Sequence, residues 1–171
     1  MLDEMQYTIR QATPLDFSAI NALCVEAYRE FESSVGPANW NDLLDILSHT
    51  SDLSTAGELL VAEDESGLLG VVLYVPPGRP DGTGVPVERA SIRMLSVSPE
   101  SRGRGIGRRL TQECIDRAKR DGAKAIGLTT GEMMKIAQPM YERMGFKREM
   151  ELGERFGVKH GLYIMALDET I

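Results

Sequence analysis

The segment from Val97 to Leu110 constrains the fold of this chain most, because an apolar strand runs there into a glycine turn that opens a helix. The strand is predicted over Glu88 to Ser98, and the helix over Gly105 to about Asp121, with Gly122 as its terminating residue. One face of this helix is apolar and is formed by Ile106, Leu110, Cys114 and Ala118. A further apolar run, Ala125 to Thr130, follows. A strand, a helix and a strand in this order form a crossover unit with parallel strands, so the chain is predicted to be α/β.

The glycine turn has the features of an anion-binding site. Three glycines lie within five residues, at Gly103, Gly105 and Gly107, which lets the backbone approach a ligand closely. The unpaired N–H groups of the first helical turn and the positive end of the helix dipole then face that ligand. Four arginines lie between Arg102 and Arg109, although the whole chain has a net charge of −7. Positive charge confined to one turn predicts a specific phosphate ligand and argues against nucleic acid as a partner.

Two common phosphate-binding loops do not match this turn. A Walker A loop has a lysine followed by serine or threonine after its last glycine, whereas two arginines follow Gly107. A dinucleotide-binding fingerprint that starts at Gly105 needs a third glycine at the position that Leu110 occupies. The residues that are present, Arg102 to Gly107, spell R-x-x-G-x-G.

The R-x-x-G-x-G pattern, preceded by the strand end Leu95 to Pro99, resembles motif A of the GNAT superfamily of N-acetyltransferases. A second segment, Ala137 to Phe146, resembles motif B of the same family, a short helix that carries a tyrosine and ends at Gly-Phe. The resemblance is good from about Glu88 to Phe146 and elsewhere concerns only the order of the elements. It implies the GNAT fold, a mixed sheet of six or seven strands with helices on both faces. A length of 171 residues, 42% of them apolar, suits a single domain over residues 1–171.

The resemblance also implies acetyl-CoA as co-substrate and assigns residues to it. The glycine turn of the family holds the pyrophosphate, and the matching residues here are Arg102, Gly103, Arg104, Gly105, Ile106, Gly107 and Arg108. In the family, the preceding strand carries a bulge, splays from its parallel neighbour and pairs with the pantetheine arm. The matching positions are Leu95, Ser96 and Val97. No metal ion is expected, because two histidines and two separated cysteines form no recognisable metal-binding pattern.

Tyr141 is the candidate general acid, because its match to motif B implies a phenol beside the thioester sulfur. The alternative is a tyrosine that only packs against its neighbours. Glu88, on the predicted donor-side strand, is the candidate base, although the glutamate of several relatives aligns better with Ser91. Other candidates for the base are three acidic residues of the first helix, Glu26, Glu30 and Glu32. The two histidines, His49 and His160, lie in unremarkable contexts.

The function predicted from the resemblance is direct, acetyl-CoA-dependent transfer of an acetyl group to the primary amine of a small molecule or a peptide. A non-catalytic acyl-CoA-binding sensor or interaction module of the same fold is the main alternative. A nucleotide-binding protein of another α/β class is a more distant one, favoured only by the glycine turn. The acidic balance of the chain favours cationic acceptors. Acceptor identity is expected to depend on three segments without a recognisable code, Glu30 to Ser54, Pro76 to Pro86 and Gly153 to Lys159.

The remaining elements are predicted from local patterns. Strands are expected over Tyr7 to Ala12, Glu58 to Glu63, Leu68 to Val75, Phe146 to Leu152 and His160 to Leu167, and helices after Thr13 and over Trp40 to Leu47 and Lys135 to Met144. The turn Asp64 to Gly67 suits a hairpin between the second and third strands. Pro76 to Pro86 and Gly153 to Lys159 are expected to be loops, because the first is rich in proline and glycine and the second joins two strands.

A cytoplasmic location is expected, with no membrane partner. No stretch approaches the roughly 20 apolar residues of a membrane-spanning helix, and the first residues are acidic where a signal peptide is basic. Cys24 and Cys114 are expected to be buried, reduced thiols. Relatives often pair through their last strands, so a homodimer is compatible with the resemblance, although nothing in His160 to Ile171 requires one.

Overall fold

A computed structural model describes residues 6–167, which form a seven-stranded mixed sheet with helices on both faces. The strands are β1 (Thr8–Gln11), β2 (Glu58–Asp64), β3 (Gly67–Val75), β4 (Ala90–Val97), β5 (Ala125–Gly131), β6 (Lys147–Arg155) and β7 (Val158–Ala166). The helices are α1 (Phe17–Tyr28), α2 (Glu32–Val35), α3 (Pro37–Leu47), α4 (Ile106–Arg120) and α5 (Ala137–Met144). Across the sheet the strands lie in the order β1-β2-β3-β4-β5-β7-β6. The predicted mixed α/β fold is confirmed, with the larger of the two expected strand numbers.

The strand pairing contains the predicted crossover. β4 and β5 run parallel and are joined by α4, whereas the other neighbouring strands of the described sheet are antiparallel. Gly122 ends α4 with φ 74°, as expected for a glycine just after a helix. The predicted hairpin between β2 and β3 is also present, with Asp64 opposite Gly67. Local patterns in the middle of the chain therefore predict the centre of the sheet correctly.

Each face of the sheet has its own apolar core. On one face, α4 and α5 pack over residues that include Leu60 and Val72. On the other face, α1 and α3 pack over residues that include Val61 and Val71. Neighbouring residues of β2 and β3 thus enter different cores, which follows from the two-residue period of a strand. The two cysteines are buried free thiols, one in each core, so their predicted burial is confirmed.

The prediction of a loop over Gly153 to Lys159 is wrong. β6 continues to Arg155 and β7 begins at Val158, so the two strands form a hairpin with a two-residue turn. The turn residues Phe156 and Gly157 have φ values of 54° and 72°. Positive φ at both central residues matches the twist of the flanking strands, but a phenylalanine rarely adopts it. The sequence therefore contains no signal for this tight turn.

Some helix boundaries also differ from the predictions. α3 begins at Pro37 rather than Trp40, because Gly36 has φ 82° and ends the preceding helix, and proline favours a first helical position. α5 begins at Ala137 rather than Lys135. The predicted connection after α3 contains a 3-10 helix, Thr50–Thr55. These changes leave the order of the elements unaltered.

Candidate functional site

The sheet opens between its parallel strands. β4 and β5 pair over only three residues, from Ala90 opposite Ile126 to Ile92 opposite Leu128. Beyond this point β5 pairs with β7 as far as Gly131, while the facing edge of β4 has no strand partner among residues 6–167. An open strand edge can bind an extended ligand as an added strand.

A β-bulge in β4 accompanies the opening. Between Arg93 and Ser96, β4 has one residue more than the facing part of β3. Met94 has φ 60°, which is uncommon for a residue other than glycine. A bulge bends a strand and increases its twist, which turns β4 away from β5. The hydroxyl of Tyr28 donates to the main-chain oxygen of Leu95 at 3.3 Å and supports this conformation.

The glycine turn lies at the end of the same strand. Gly103 and Gly105 have φ values of 83° and 75°, and a Cβ atom at either would touch nothing within 4 Å. The backbone conformation therefore requires glycine there, whereas space does not. α4 begins just after Gly105, whose carbonyl accepts the Arg109 N–H at 3.0 Å. The N–H groups of Ile106, Gly107 and Arg108 have no backbone acceptor among residues 6–167, so they are available to an anion.

Basic side chains surround a cavity of about 310 Å³ beside the turn. Its lining residues are Tyr7, Arg104, Gly105, Arg108, Arg109 and Gln112. Arg104 lies 3.4 Å from the Asp64 carboxylate, and its guanidinium carbon lies 5.7 Å from the centroid of the Tyr7 ring. The Nε atom of Arg109 is buried and has no hydrogen-bond partner among residues 6–167. Arg109 therefore belongs to this cavity together with the predicted Arg104 and Arg108.

Arg102 does not line this cavity. Its guanidinium donates to the Ala27 main-chain oxygen and to the Glu30 carboxylate, both at 2.9 Å. Arg102 thus holds the end of α1 against the start of the turn. The binding of the ligand by the Arg102 side chain stays a prediction, because this side chain is paired with other residues in the structure.

A second cavity, of about 130 Å³, occupies the opening between β4 and β5. Its walls include Leu43 and Ile46 of α3, Thr83 of the proline-rich segment, and Arg155 and Phe156 at the β6–β7 turn. The three segments expected to determine acceptor identity therefore all contribute to one cavity. Two adjacent methionines also line it, Met133 and Met134.

Tyr141 lies in the wall of this central cavity. It projects from α5 and is 6% exposed, and its ring packs edge-on against Phe146 with centroids 5.7 Å apart. Burial raises the pKa of Tyr141 above its ordinary value of 10, so the phenol keeps its proton at neutral pH. The side chain is thus both packed and placed to meet a ligand in the opening.

Glu88 lies outside the central cavity. β4 begins at Ala90, and Glu88 is exposed in the preceding turn, where the Arg89 N–H donates to the Pro86 main-chain oxygen at 3.0 Å. Because of this turn, β4 begins later than predicted, and Glu88 lies outside the strand. The structure therefore places Glu88 away from the central cavity, and its role as the base stays a prediction. The acidic alternatives are also absent from the described lining, namely Glu26, Glu30 and Glu32.

His160, for which the sequence predicts no role, does line the cavity. Its Nδ1–H donates to the Val158 main-chain oxygen at 2.8 Å, so Nε2 carries the lone pair of the neutral ring. Nε2 lies 3.0 Å from the position that a Cβ atom of Gly131 would occupy. Burial lowers the pKa of His160 below its ordinary value of 6.5, which keeps the ring neutral at pH 7. Only the β5–β7 register, which pairs His160 with Gly131, brings it to the site.

The open edge of β4, the glycine turn and the central cavity are continuous along one strand. They define a class of α/β proteins in which a split between parallel strands leads to a helix start with free N–H groups. The family model described as the acetyltransferase (GNAT) family matches residues 21–146. The chain therefore belongs to the GNAT family of acetyltransferases.

Several curated proteins are similar in sequence. The chain is 33% identical to N-acetyltransferase family 8 member 2 of Rattus norvegicus over 109 residues, which are 63% of this chain and 45% of the relative. It is 42% identical to N-alpha-acetyltransferase 30 of Schizosaccharomyces pombe over 64 residues, 37% of this chain and 43% of the relative. It is 30% identical to N-acetyltransferase 8B of Homo sapiens over 138 residues, 80% of this chain and 59% of the relative. The chain spans about half the length of the curated relatives it matches.

Solved structures show the same fold. Ard1 from Thermoplasma volcanium has a TM-score of 0.74 at 15% identity, covering 96% of this chain and 99% of that one. The yncA protein of Salmonella typhimurium, solved with its cofactor acetyl-CoA, has a TM-score of 0.70 at 20% identity and covers 96% of each chain. At these identities the likeness concerns the fold alone.

The described helices and side chains also bear on membranes and metals. None of the helices within residues 6–167 has the length and apolar character needed to cross a membrane. In the same residues, no group of three or more histidine, cysteine, aspartate or glutamate side chains could hold a metal ion. The cytoplasmic location, the absence of a required metal ion and the possible homodimer stay predictions.

Proposed function

We propose that the chain transfers an acetyl group from acetyl-CoA directly to a primary amine, with Tyr141 as general acid. One observation carries the proposal: β4 separates from β5 beside Tyr141, and the glycine turn ends the same strand. A single extended ligand can therefore reach both the opening beside Tyr141 and the glycine turn. Membership of the GNAT family supports acyl transfer, and one structural neighbour was solved with its cofactor acetyl-CoA.

The residues of the site fit acetyl-CoA. The free N–H groups from Ile106 to Arg108 and the side chains of Arg104 and Arg109 suit the phosphates, since charge-assisted hydrogen bonds to phosphate are strong. The buried, unpartnered Nε of Arg109 is a donor that a phosphate oxygen would satisfy. The open edge from Leu95 to Val97 suits the amide groups of the pantetheine arm. When bound, the cofactor supplies an activated acyl thioester.

Three groups of the chain would promote the transfer. Main-chain N–H groups on the open edge of β4 can stabilise the charge that develops on a carbonyl oxygen. The Tyr141 hydroxyl keeps its proton at neutral pH, because burial raises its pKa, and it can donate this proton to the departing thiolate. The Nε2 atom of His160 can accept the proton that the amine nitrogen loses, and we propose this residue in place of Glu88.

Replacement of Tyr141 by phenylalanine tests the proposal. Tyr141→Phe keeps the ring that packs against Phe146 and removes the proton, so kcat should decrease by about 10²–10⁴ while the affinity for acetyl-CoA stays unchanged. The matched control is Tyr163→Phe, which removes a hydroxyl from the same core at a residue that does not line the cavity. The measurements are thiol release from acetyl-CoA over a panel of primary amines and calorimetric titration with acetyl-CoA.

Two results would contradict the proposal. Full turnover in Tyr141→Phe would exclude the phenol as the proton donor. A wild-type protein that binds acetyl-CoA but releases no thiol with any amine would instead support the non-catalytic acyl-CoA-binding module.

A further inference from the structure

The charged side chains in the wall of the central cavity are all basic. They are Arg93 and Arg155, since His160 is neutral at pH 7, and the described lining contains no aspartate or glutamate. This contrasts with the net charge of −7 of the whole chain, from which cationic acceptors were expected. The local charge of a binding cavity, and not the net charge, determines which ligands it attracts.

Arg93 keeps most of its hydrogen-bonding capacity free. Its guanidinium donates to the main-chain oxygen of Asp81 at 2.8 Å. The Asp81 side chain accepts the Thr83 N–H at 2.8 Å, and Asp81 is 4% exposed, so its carboxylate is used within the loop. No ion pair among residues 6–167 includes Arg93. A guanidinium has five N–H donors, so several remain for a ligand.

Arg155 brings a second positive charge to the same cavity. It ends β6 beside the tight turn, and its guanidinium carbon lies 6.0 Å from the centroid of the Phe156 ring. It too takes part in no ion pair among the described residues. Burial lowers the pKa of Arg93, the charge of the Asp81 carboxylate raises it in part, and the charge of Arg155 lowers it again. Two like charges in a partly buried cavity repel each other, and an anion bound between them relieves this repulsion.

We propose that the acceptor is a primary amine that also carries a carboxylate, which Arg93 and Arg155 bind while the amine faces Tyr141 and His160. This inference rests on the proposed acetyl transfer. Guanidinium groups bind carboxylates in a planar, bidentate geometry that orients the bound molecule. The phosphates of acetyl-CoA are assigned to the other cavity, and the two cavities share no described lining residue. The arginines of the central cavity are therefore free for the acceptor.

Matched acceptors test the inference. Thiol release is measured with an α-amino acid, its carboxamide, and the amine that lacks the carboxyl carbon. The carboxylate form should have a kcat/KM about 10–100-fold higher than the other two, as expected for charge-assisted hydrogen bonds. A fourth acceptor is a peptide amide whose second residue is acidic. Its rate shows whether the carboxylate belongs to a free amino acid or to a peptide.

Arg155→Gln should remove most of this preference, measured as the ratio of kcat/KM for the amino acid to kcat/KM for the amine without a carboxylate. The control is Arg148→Gln on the same strand, where an exposed arginine pairs with Glu151 at 3.1 Å. It should leave the preference intact. An equal or better rate for the amine without a carboxylate would overturn the inference and leave the acetyl transfer standing.

A measurement without turnover separates the two proposals. The arginine Nε–H resonances of the protein are followed by NMR during titration with an N-acetyl amino acid and with its carboxamide. Shifts of the Arg93 and Arg155 resonances with the carboxylate alone support the inference even if no thiol is released. Identical responses to the two compounds overturn it. Absence of thiol release with every amine would contradict only the proposed function.

Discussion

Two substitutions at Gly105 test the phosphate site by differing in a single charge. Gly105→Gln and Gly105→Glu add side chains of nearly equal size where a Cβ atom meets nothing within 4 Å. Both place a non-glycine residue at φ 75°, which costs about 1–2 kcal/mol. Both should therefore lower the thermal midpoint equally, by about 2–8 °C. Any difference in ligand binding between them then comes from the charge.

The expected difference follows from the geometry of the helix start. A carboxylate at Gly105 would lie roughly 6 Å from a phosphate held by the first-turn N–H groups, given the size of the side chain. At an effective dielectric constant of about 20–40, the repulsion from one phosphate charge is about 1–3 kcal/mol. Gly105 is exposed, so screening by salt favours the lower part of this range. Gly105→Glu should bind acetyl-CoA about tenfold more weakly than Gly105→Gln at physiological salt.

Calorimetric titration with acetyl-CoA at low and at physiological salt measures this difference. The gap between the two variants should narrow as the salt concentration rises, because exposed charges are screened. Equal affinities of Gly105→Gln and Gly105→Glu at both salt concentrations would refute the placement of the phosphates at this turn. Absence of binding by the wild type would refute the donor site as a whole.

Three further predictions concern the base, the core and the turn of the last hairpin. As the pH falls below 6.5, His160 becomes protonated and can no longer accept a proton, so kcat/KM should fall. In pH–rate profiles, His160→Gln should lose this pH dependence and react about 10²–10⁴-fold more slowly than the wild type. Leu110→Ala empties a fully buried position on the core-facing side of α4 and should lower the free energy of unfolding by about 2–5 kcal/mol in denaturant titrations. In Gly157→Ala the alanine would have φ 72°, and its Cβ atom would lie 2.8 Å from the Asn39 Nδ2 atom. This strain should lower the free energy of unfolding by at least about 1 kcal/mol.

The donor side of the site could be predicted because its determinants are local in the sequence. Gly103 and Gly105 adopt the positive φ values that their residue type permits, and the helix begins immediately after them. The bulge and the splay of β4 also lie close to where the resemblance implies them, next to Leu95. A turn, a helix start and the preceding strand depend on neighbouring residues, so the pattern alone indicates their geometry.

The acceptor side depends on contacts between distant parts of the chain. His160 reaches the cavity through the pairing of β5 with β7, which no local pattern encodes. Arg155 reaches it because β6 extends to a tight turn at Phe156, a residue that seldom adopts positive φ. Glu88, in contrast, lies two residues before the observed start of β4, and this small shift leaves it in an exposed turn. Residue type therefore suggested Glu88 as a base, whereas the register of the strands determines which side chains line the central cavity.

Pairing of charges separates the charged side chains that other residues already occupy from those that are available to a ligand. Arg102 was predicted to bind the ligand and Glu30 to be an alternative base, yet the two lie 2.9 Å apart and satisfy each other. Arg93 and Arg155 attract no attention in the sequence, but in the fold they line one cavity and belong to no ion pair among residues 6–167. A charge kept from water is costly unless an opposite charge or hydrogen bonds compensate it. A guanidinium that lines a cavity with several donors still free is therefore better evidence for a ligand than an arginine close to a known motif.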